Sequence, residues 1–219
     1  MNPFENDVSS SQAQYWNDPN IAADLQARQS GVTEFAVEVE ERFPRHAQVL
    51  ELGCSAGDDS AYFAEQGHEV IGLDVSAPLI DIAAQRYADH NNLDFRVADL
   101  TQPFGVRGQS IDVVYARLSL HYFDDPTTMR VFSEIAWVLR KGGLFAFACR
   151  STKDPLYGKG EEVGPDFFNL DGHFRHFFDE EYCDDLLQDS GFTNVEILAG
   201  EQKLYGAHSA FVKCTAIAG

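Results

Sequence analysis

Three acidic side chains mark the ends of three successive apolar runs in this sequence. Glu51 lies in Val49-Leu50-Glu51-Leu52, Asp74 closes Glu69-Val70-Ile71-Gly72-Leu73-Asp74, and Asp99 follows Leu93-Asp94-Phe95-Arg96-Val97-Ala98. Behind the first run comes a turn of small residues, Gly53-Cys54-Ser55-Ala56-Gly57, and a helical pattern opens near Ser60. Small residues let the backbone come close to a ligand, and the free N–H groups of a helix's first turn point at whatever sits there. An acid roughly twenty residues beyond such a turn, at the end of the second strand, is placed to accept both hydrogen bonds of a ribose diol. A plainer role for Asp74 or Ser76 is to cap the following helix. A second kind of chemistry is offered by His121, His173 and His176, each a candidate to take a proton from a reacting hydroxyl or thiol, or else a structural histidine bonded to backbone.

The elements that must position these groups alternate. A helical pattern over about 21–43 is interrupted at Ser30-Gly31 and ends at Phe43-Pro44. Strand one covers about 47–52; its helix runs to about Gln66, with Gly67 as a C-terminal stop. Strand two ends at Asp74, and Pro78 opens the next helix. Strand three ends near Asp99, and strand four, 110–116, leads into Arg117-Leu118-Ser119-Leu120-His121. A helix follows, with Asp125 as the expected N-cap and Met129, Phe132, Ile135, Ala136 and Leu139 as the expected core stripe. Lys141-Gly142-Gly143 closes it, and Leu144–Ala148 is a buried strand five. Residues 151–178 break the alternation with glycines and aromatics and are expected to form a long functional loop, a lid or acceptor-binding insertion. Acids at 179–181 open a last helix, and strands near 195–198 and 210–216 finish the chain.

The dinucleotide fingerprint G-x-G-x-x-G does not fit, because it would place glycine where Ser55 and Asp58 stand. Gly53-x-Ser55-x-Gly57 matches the nucleophile elbow G-x-S-x-G literally, but on the first strand rather than deep in the sheet, and with no task for the three acids. The pattern that does fit is Glu51-x-Gly53-x-x-x-Gly57, which resembles motif I of the class I S-adenosyl-L-methionine (SAM)-dependent methyltransferases, with Ser55 in place of the usual central glycine. The order of helix, Lys-Gly-Gly and apolar strand at 126–148 resembles the same family, as does the strand-four segment. The resemblance implies an α/β fold: a Rossmann-like doubly wound seven-stranded sheet, mostly parallel with an antiparallel last strand, helices on both faces. It implies two parts, an N-terminal arm with helices at 1–44 and a methyltransferase domain at 45–219 carrying the 151–178 insertion. It further implies SAM as cofactor and S-adenosyl-L-homocysteine as product. Cofactor contacts would come from Tyr15, Trp16, Glu51, Gly53, Cys54, Ser55, Gly57, Asp74, Val75, Asp99, Leu100, Ala116, Arg117 and Leu118. In that family an acid at the place of Asp99 accepts from the adenine amino group. A SAM-binding regulatory protein without transfer activity is the alternative that the serine at 55 leaves open.

Composition narrows the partners. The chain has 219 residues, 44% of them hydrophobic, enough for one domain with a real core. A net charge of -19 repels phosphate backbones and anionic membrane surfaces, so the expected partner is a small-molecule acceptor rather than nucleic acid or a membrane. The four cysteines are scattered with no C-x-x-C pair, which suits reduced thiols and a cytoplasmic protein. The start of the chain lacks the basic and apolar regions of a signal peptide. His173-x-x-His176 would put two imidazoles on one face of a helix, but with no third ligand at metal-binding spacing, so no metal is expected. A monomer or homodimer is expected.

Overall fold

A computed structural model of the chain describes residues 12–28, 31–204 and 206–219; residues 1–11 of the expected arm, and Ser30 of the expected helix break, lie outside the described residues. After a helical turn at 12–16 come α1 (Pro19–Arg28) and α2 (Glu34–Glu40). The β/α units follow as β1 (Gln48–Leu52), α3 (Asp58–Glu65), β2 (Glu69–Asp74), α4 (Ala77–Arg86), β3 (Leu93–Val97) and β4 (Ile111–Arg117). A 3-10 turn at Leu120–Tyr122 precedes α5 (Asp125–Val138) and β5 (Leu139–Arg150). The insertion holds β6 (Glu161–Gly164), β7 (Phe167–Leu170) and β8 (His173–His176), and the chain closes with α6 (Glu180–Asp189), β9 (Phe192–Leu204) and β10 (Ala207–Ala218).

The main sheet has seven strands in the order β3-β2-β1-β4-β5-β10-β9. The pairs from β3 to β5 are parallel, and β10 runs antiparallel between β5 and β9, as the resemblance implies. Strand order reverses at β1 and β4, the switch point at which ligands bind beyond the carboxyl ends of the strands.

Both faces of the sheet are apolar, and period-two alternation divides them. Val49, Val113, Tyr115, Leu144, Ala146 and Ala148 pack against Phe35, Ala36 and Val39 of α2 and Phe63 and Ala64 of α3. Leu50, Leu52, Val114, Ala116, Phe145 and Phe147 face α5 and α6, where Phe132 meets the Phe145 and Phe147 rings at 5.2 and 5.3 Å. Each such aromatic contributes about 1.5–3 kcal/mol by leaving water.

Several local expectations shift. The α5 N-cap is Asp124, whose side chain accepts from the Thr127 N–H, not Asp125. Its core stripe is accordingly Thr128, Val131, Phe132, Ile135 and Val138, while Met129 is 44% exposed. Strand five starts at Leu139, so the Lys-Gly-Gly turn is absorbed into its first half. The final strands are longer than expected and pair along nearly their whole length. The insertion is not a loop: β6, β7 and β8 form a separate three-stranded antiparallel sheet. Asp171-Gly172 joins β7 to β8 with φ of 55° and 81°, the left-handed pair that two-residue hairpins prefer. His173 and His176 therefore lie on a strand, three residues apart and on opposite faces, rather than on one helical face.

Two glycines separate backbone strain from crowding. Both Gly53 and Gly142 have φ of +79°, but a Cβ on Gly53 would overlap Ser119 Cβ, whereas nothing lies within 4 Å of one on Gly142. Gly142→Ala is expected to lose about 1 kcal/mol of stability from the left-handed backbone alone. Gly53→Ala should lose about 1–3 kcal/mol more, because the turn and the Ser119 segment must move apart. Denaturant unfolding of both variants checks this; equal losses would contradict it.

Candidate active site

The carboxyl ends of β1 to β5 open into a cavity of about 320 Å³, the size of a small-molecule site. Its floor is the β1 turn. Gly53 and Cys54 donate their N–H groups to the Leu73 carbonyl at 2.7 and 3.0 Å, tying the turn to β2. Ser55 is left-handed, with φ of 52°, and its N–H donates to Asp74 Oδ2 at 2.8 Å. The other carboxylate oxygen of Asp74 accepts from the Ser76 N–H at 2.8 Å. Asp74 thus holds both loops at once, and with two of its roughly four lone-pair positions used it keeps capacity for a ligand. Burial raises its pKa, against the lowering effect of those N–H groups. Ser76 caps α4 by position only; its hydroxyl donates to the Trp16 carbonyl at 2.6 Å instead.

The wall on the β3 side carries Asp99 and Leu100. Asp99 Oδ1 accepts from the Thr101 N–H at 2.9 Å, an ordinary turn bond that leaves its second oxygen unused among the described residues. The wall on the β4 side carries Arg117, Leu118 and Ser119, followed by His121, Tyr122 and Phe123. Leu118 is another non-glycine residue in the left-handed region, with φ of 57°, held there by its N–H bond to the Ala148 carbonyl at 2.8 Å. Backbone strain of this kind persists where the surroundings over-determine it and gathers at functional sites.

The roof joins two distant segments. Tyr15 and Trp16 lie over the cavity, their rings 4.4 and 5.3 Å from His173 of β8, and Trp16 is 5.2 Å from Tyr122. The side-chain nitrogen and oxygen of Gln12, also lining the cavity, are buried with no hydrogen-bond partner among the described residues. Asn17 fastens this segment by donating to the Val75 carbonyl and accepting from the Ala77 N–H.

His121 is fully buried and lines the cavity, and neither ring nitrogen has a partner among the described residues. Burial, then the charges of Arg150 and Arg175, hold its pKa well below the usual imidazole value, so it is neutral. His173 is pushed down to about 3 by burial and then by Arg175 and Arg150. His176 faces the other side of β8, against Phe178 and Tyr182 with ring centroids 4.9 Å away, and does not reach the cavity.

Of the residues expected to bind a cofactor, the structure brings Tyr15, Trp16, Gly53, Ser55, Asp74, Val75, Asp99, Leu100, Arg117 and Leu118 to one cavity. Glu51, Cys54, Gly57 and Ala116 do not line it. The expectation that Glu51 shares the rim with Asp74 and Asp99 is thereby corrected. Alternation along β1 gives Glu51 the face of Val49, toward α3, where Ser60 Oγ donates to it in a short hydrogen bond. Asp59 lies buried nearby and takes three bonds, from the Thr33 N–H and hydroxyl and the Tyr115 hydroxyl. Ser119 and Tyr122, in the segment after strand four that the resemblance places beside cofactor and acceptor, also line the cavity, as do Gln12, Arg150 and Arg175, which were not singled out in the sequence. Arg150 carried a faint signal as the first charge after the apolar run Leu144–Cys149.

Residues 49–143 match a family model described as a methyltransferase domain. The chain is 30% identical over 144 residues to a malonyl-[acyl-carrier protein] O-methyltransferase of Salmonella typhimurium, covering 65% of this chain and 53% of that protein. It is 34% identical over 90 residues to a magnesium-protoporphyrin O-methyltransferase of Rhodobacter capsulatus, covering 40% and 39% respectively. The chain spans about half the length of the first curated relatives it matches. Among solved structures, it shares the fold of the Burkholderia thailandensis 1,6-didemethyltoxoflavin-N1-methyltransferase, with a TM-score of 0.73, 19% identity, and coverage of 100% of this chain and 91% of that one.

The buried carboxylates yield a stability prediction. Burial and then the Asp59 charge raise the Glu51 pKa well above 4.5. The folded state therefore holds a proton that the unfolded chain releases, and stability falls as pH rises from about 4.3 through the folded pKa. Glu51→Gln should remove that fall and melt higher than the parent at neutral pH, with the two converging in acid. Melting curves across pH without ligand test this; an unchanged pH slope would contradict it.

Proposed function

Because the chain belongs to the class I SAM-dependent methyltransferase family, we propose that it transfers a methyl group from SAM to a small-molecule acceptor held in this cavity. The observation that carries the reading is the convergence of Asp74, Asp99, the Ser55 turn and the aromatic roof on a single cavity. Its features suit the cofactor. Asp74 keeps lone pairs for a vicinal diol, and the unpartnered Gln12 amide lines the same space. Asp74 is assigned to the ribose hydroxyls, Asp99 and Leu100 to the adenine, and Gly53, Ser55 and Val75 to the wall along the nucleoside.

When bound, the cofactor would supply an activated methyl group on a sulfonium sulfur, transferable in line to an acceptor lone pair with S-adenosylhomocysteine as the leaving group. Positioning alone can supply about 7–11 kcal/mol of such a barrier. The protein's part is to hold the acceptor, exclude water and take a proton where the acceptor carries one. Tyr15, Trp16 and His173 cover the cavity and keep water out. His121, neutral and without a partner among the described residues, is assigned as the proton acceptor for a hydroxyl or thiol. We read the 151–178 insertion as the acceptor-side wall, since β8 contributes His173 and Arg175. No described helix is long and apolar enough to cross a membrane.

Asp74→Ala should abolish calorimetric binding of S-adenosylhomocysteine, and an unchanged isotherm would remove the assignment. His121→Gln should leave that binding intact while lowering kcat on a hydroxyl or thiol acceptor by about 10²–10⁴. The working base is the neutral ring and its pKa is lowered. The rate should therefore rise with pH through a limb below about 6.5 and stay flat above it. A limb above that value, or a His121→Gln enzyme with the parent kcat, would exclude His121 as the base.

A further inference from the structure

The cavity is electrically divided along the sheet. Asp74 and Asp99 follow β2 and β3 and Asp24 comes from α1, Arg117 ends the central strand β4, and at the far side Arg150 ends β5 and Arg175 lies on β8 of the insertion. The order β3-β2-β1-β4-β5 puts three strand spacings between the Asp74 and Arg150 strands. At 4.7–4.9 Å per spacing that is about 14 Å.

Arg150 is anchored. One terminal nitrogen donates to Asp154 Oδ2 at 2.8 Å and to Ser209 Oγ at 3.2 Å. Asp154 is itself fixed by the Ala210 and Leu156 N–H groups at 3.0 and 2.9 Å. Nε and the second terminal nitrogen of Arg150 have no hydrogen-bond partner among the described residues. Arg175 is half-buried and has no carboxylate within ion-pair distance among them, in a chain with 35 acidic residues. Burial, and then the Arg150 charge, press its pKa downward, so the two guanidiniums sit close enough to repel. A half-buried cation without a counter-ion is a cost that packing does not repay. Beside the pair lie His121, with both ring nitrogens buried and without partners among the described residues, and His173, with Nδ1 in the same state. Every unmet group at this end of the cavity is a donor or can serve as one.

We propose that Arg150 and Arg175 form the recognition site for an anionic oxygen group, a carboxylate or a phosphate, carried by the methyl acceptor. The proposal rests on the methyltransferase reading above and gives the acceptor its chemical class. Planar guanidinium forks suit either oxyanion. The anion is held at the β5 end, with the nucleophile of the same molecule turned toward His121 and the cofactor end of the cavity. An anion there also offsets the two charges that depress His121, so the base gains strength when the acceptor is bound.

The test titrates inorganic phosphate, malonate and uncharged malonamide by calorimetry into the full chain, free and loaded with S-adenosylhomocysteine. Parent, Arg175→Gln and Arg175→Lys proteins are compared. Arg175 is chosen because removing Arg150 would leave the buried Asp154 carboxylate without its ion-pair partner, a destabilising change in its own right. The parent is expected to bind phosphate, malonate or both but not malonamide, and the better anion identifies the acceptor group. Arg175→Gln should weaken that binding by about tenfold or more, Arg175→Lys by less, both retaining parent affinity for S-adenosylhomocysteine. Equal binding of malonate and malonamide, no anion binding to the parent, or parent-like anion binding by Arg175→Gln would overturn the proposal. So would a comparable loss of S-adenosylhomocysteine affinity in Arg175→Gln, which would give Arg175 to the cofactor's own carboxylate. Failure of the parent to bind S-adenosylhomocysteine would instead overturn the cofactor reading. The titration of the free protein still judges the arginine pair in that case.

Discussion

The carboxylate of Asp74 is the joint on which the site depends. One oxygen holds the Ser55 N–H and the other the Ser76 N–H, so a single side chain fixes the β1 turn and the start of α4. Ser76 in turn holds the Trp16 carbonyl, and Asn17 bonds both flanks of Val75 and Ala77, so the roof is hung from the same joint. An acid buried to 9% exposure is costly unless its lone pairs are used, and backbone N–H groups use them here. Position at the second strand's end, which reads as a ligand contact in the sequence, is thus also a structural necessity. The proposed ligand contact is compatible with this structural role because a carboxylate accepts more bonds than the loops consume.

Serine at 55 illustrates how the fold absorbs a departure from its usual pattern. The position needs a left-handed backbone, which glycine takes freely and serine takes at a cost of about 1–2 kcal/mol. The bond from its N–H to Asp74 holds it there. The cavity remains open with Ser55 in its wall. Glycine is required more strictly at 53, where the crossing Ser119 segment leaves no volume for a Cβ.

Much of the architecture was legible because period-two runs, small-residue turns and strand-end acids agree with one another. The seven-stranded, mostly parallel sheet and its antiparallel last strand followed from the resemblance those signals carry. The lining of the cavity was legible where it depends on strand ends and turns, as at Gly53, Asp74, Asp99 and Leu118. It was misread at Glu51, where the parity of β1 decides which face the side chain takes and sends it to Ser60. The insertion was misread as a loop although Asp171-Gly172 between short aromatic runs is a hairpin signal. That error hid the alternation of β8, which turns His173 and Arg175 inward and His176 outward. Gln12 was beyond reach, and Arg150 legible only as a charge closing an apolar run, because their importance comes from which distant segments meet them.

The account's central claim is that nucleoside and acceptor occupy opposite ends of one cavity, Asp74 and Asp99 at one end and the pair Arg150 and Arg175 at the other. A crystal structure with S-adenosylhomocysteine bound tests it most directly. The account predicts the ribose against Asp74, the adenine toward Asp99 and Leu100, and the sulfur directed toward His121 with the space before Arg150 and Arg175 left open. A ligand lying in the reverse sense, with its adenine against the arginines, or one bound outside this cavity, would contradict it.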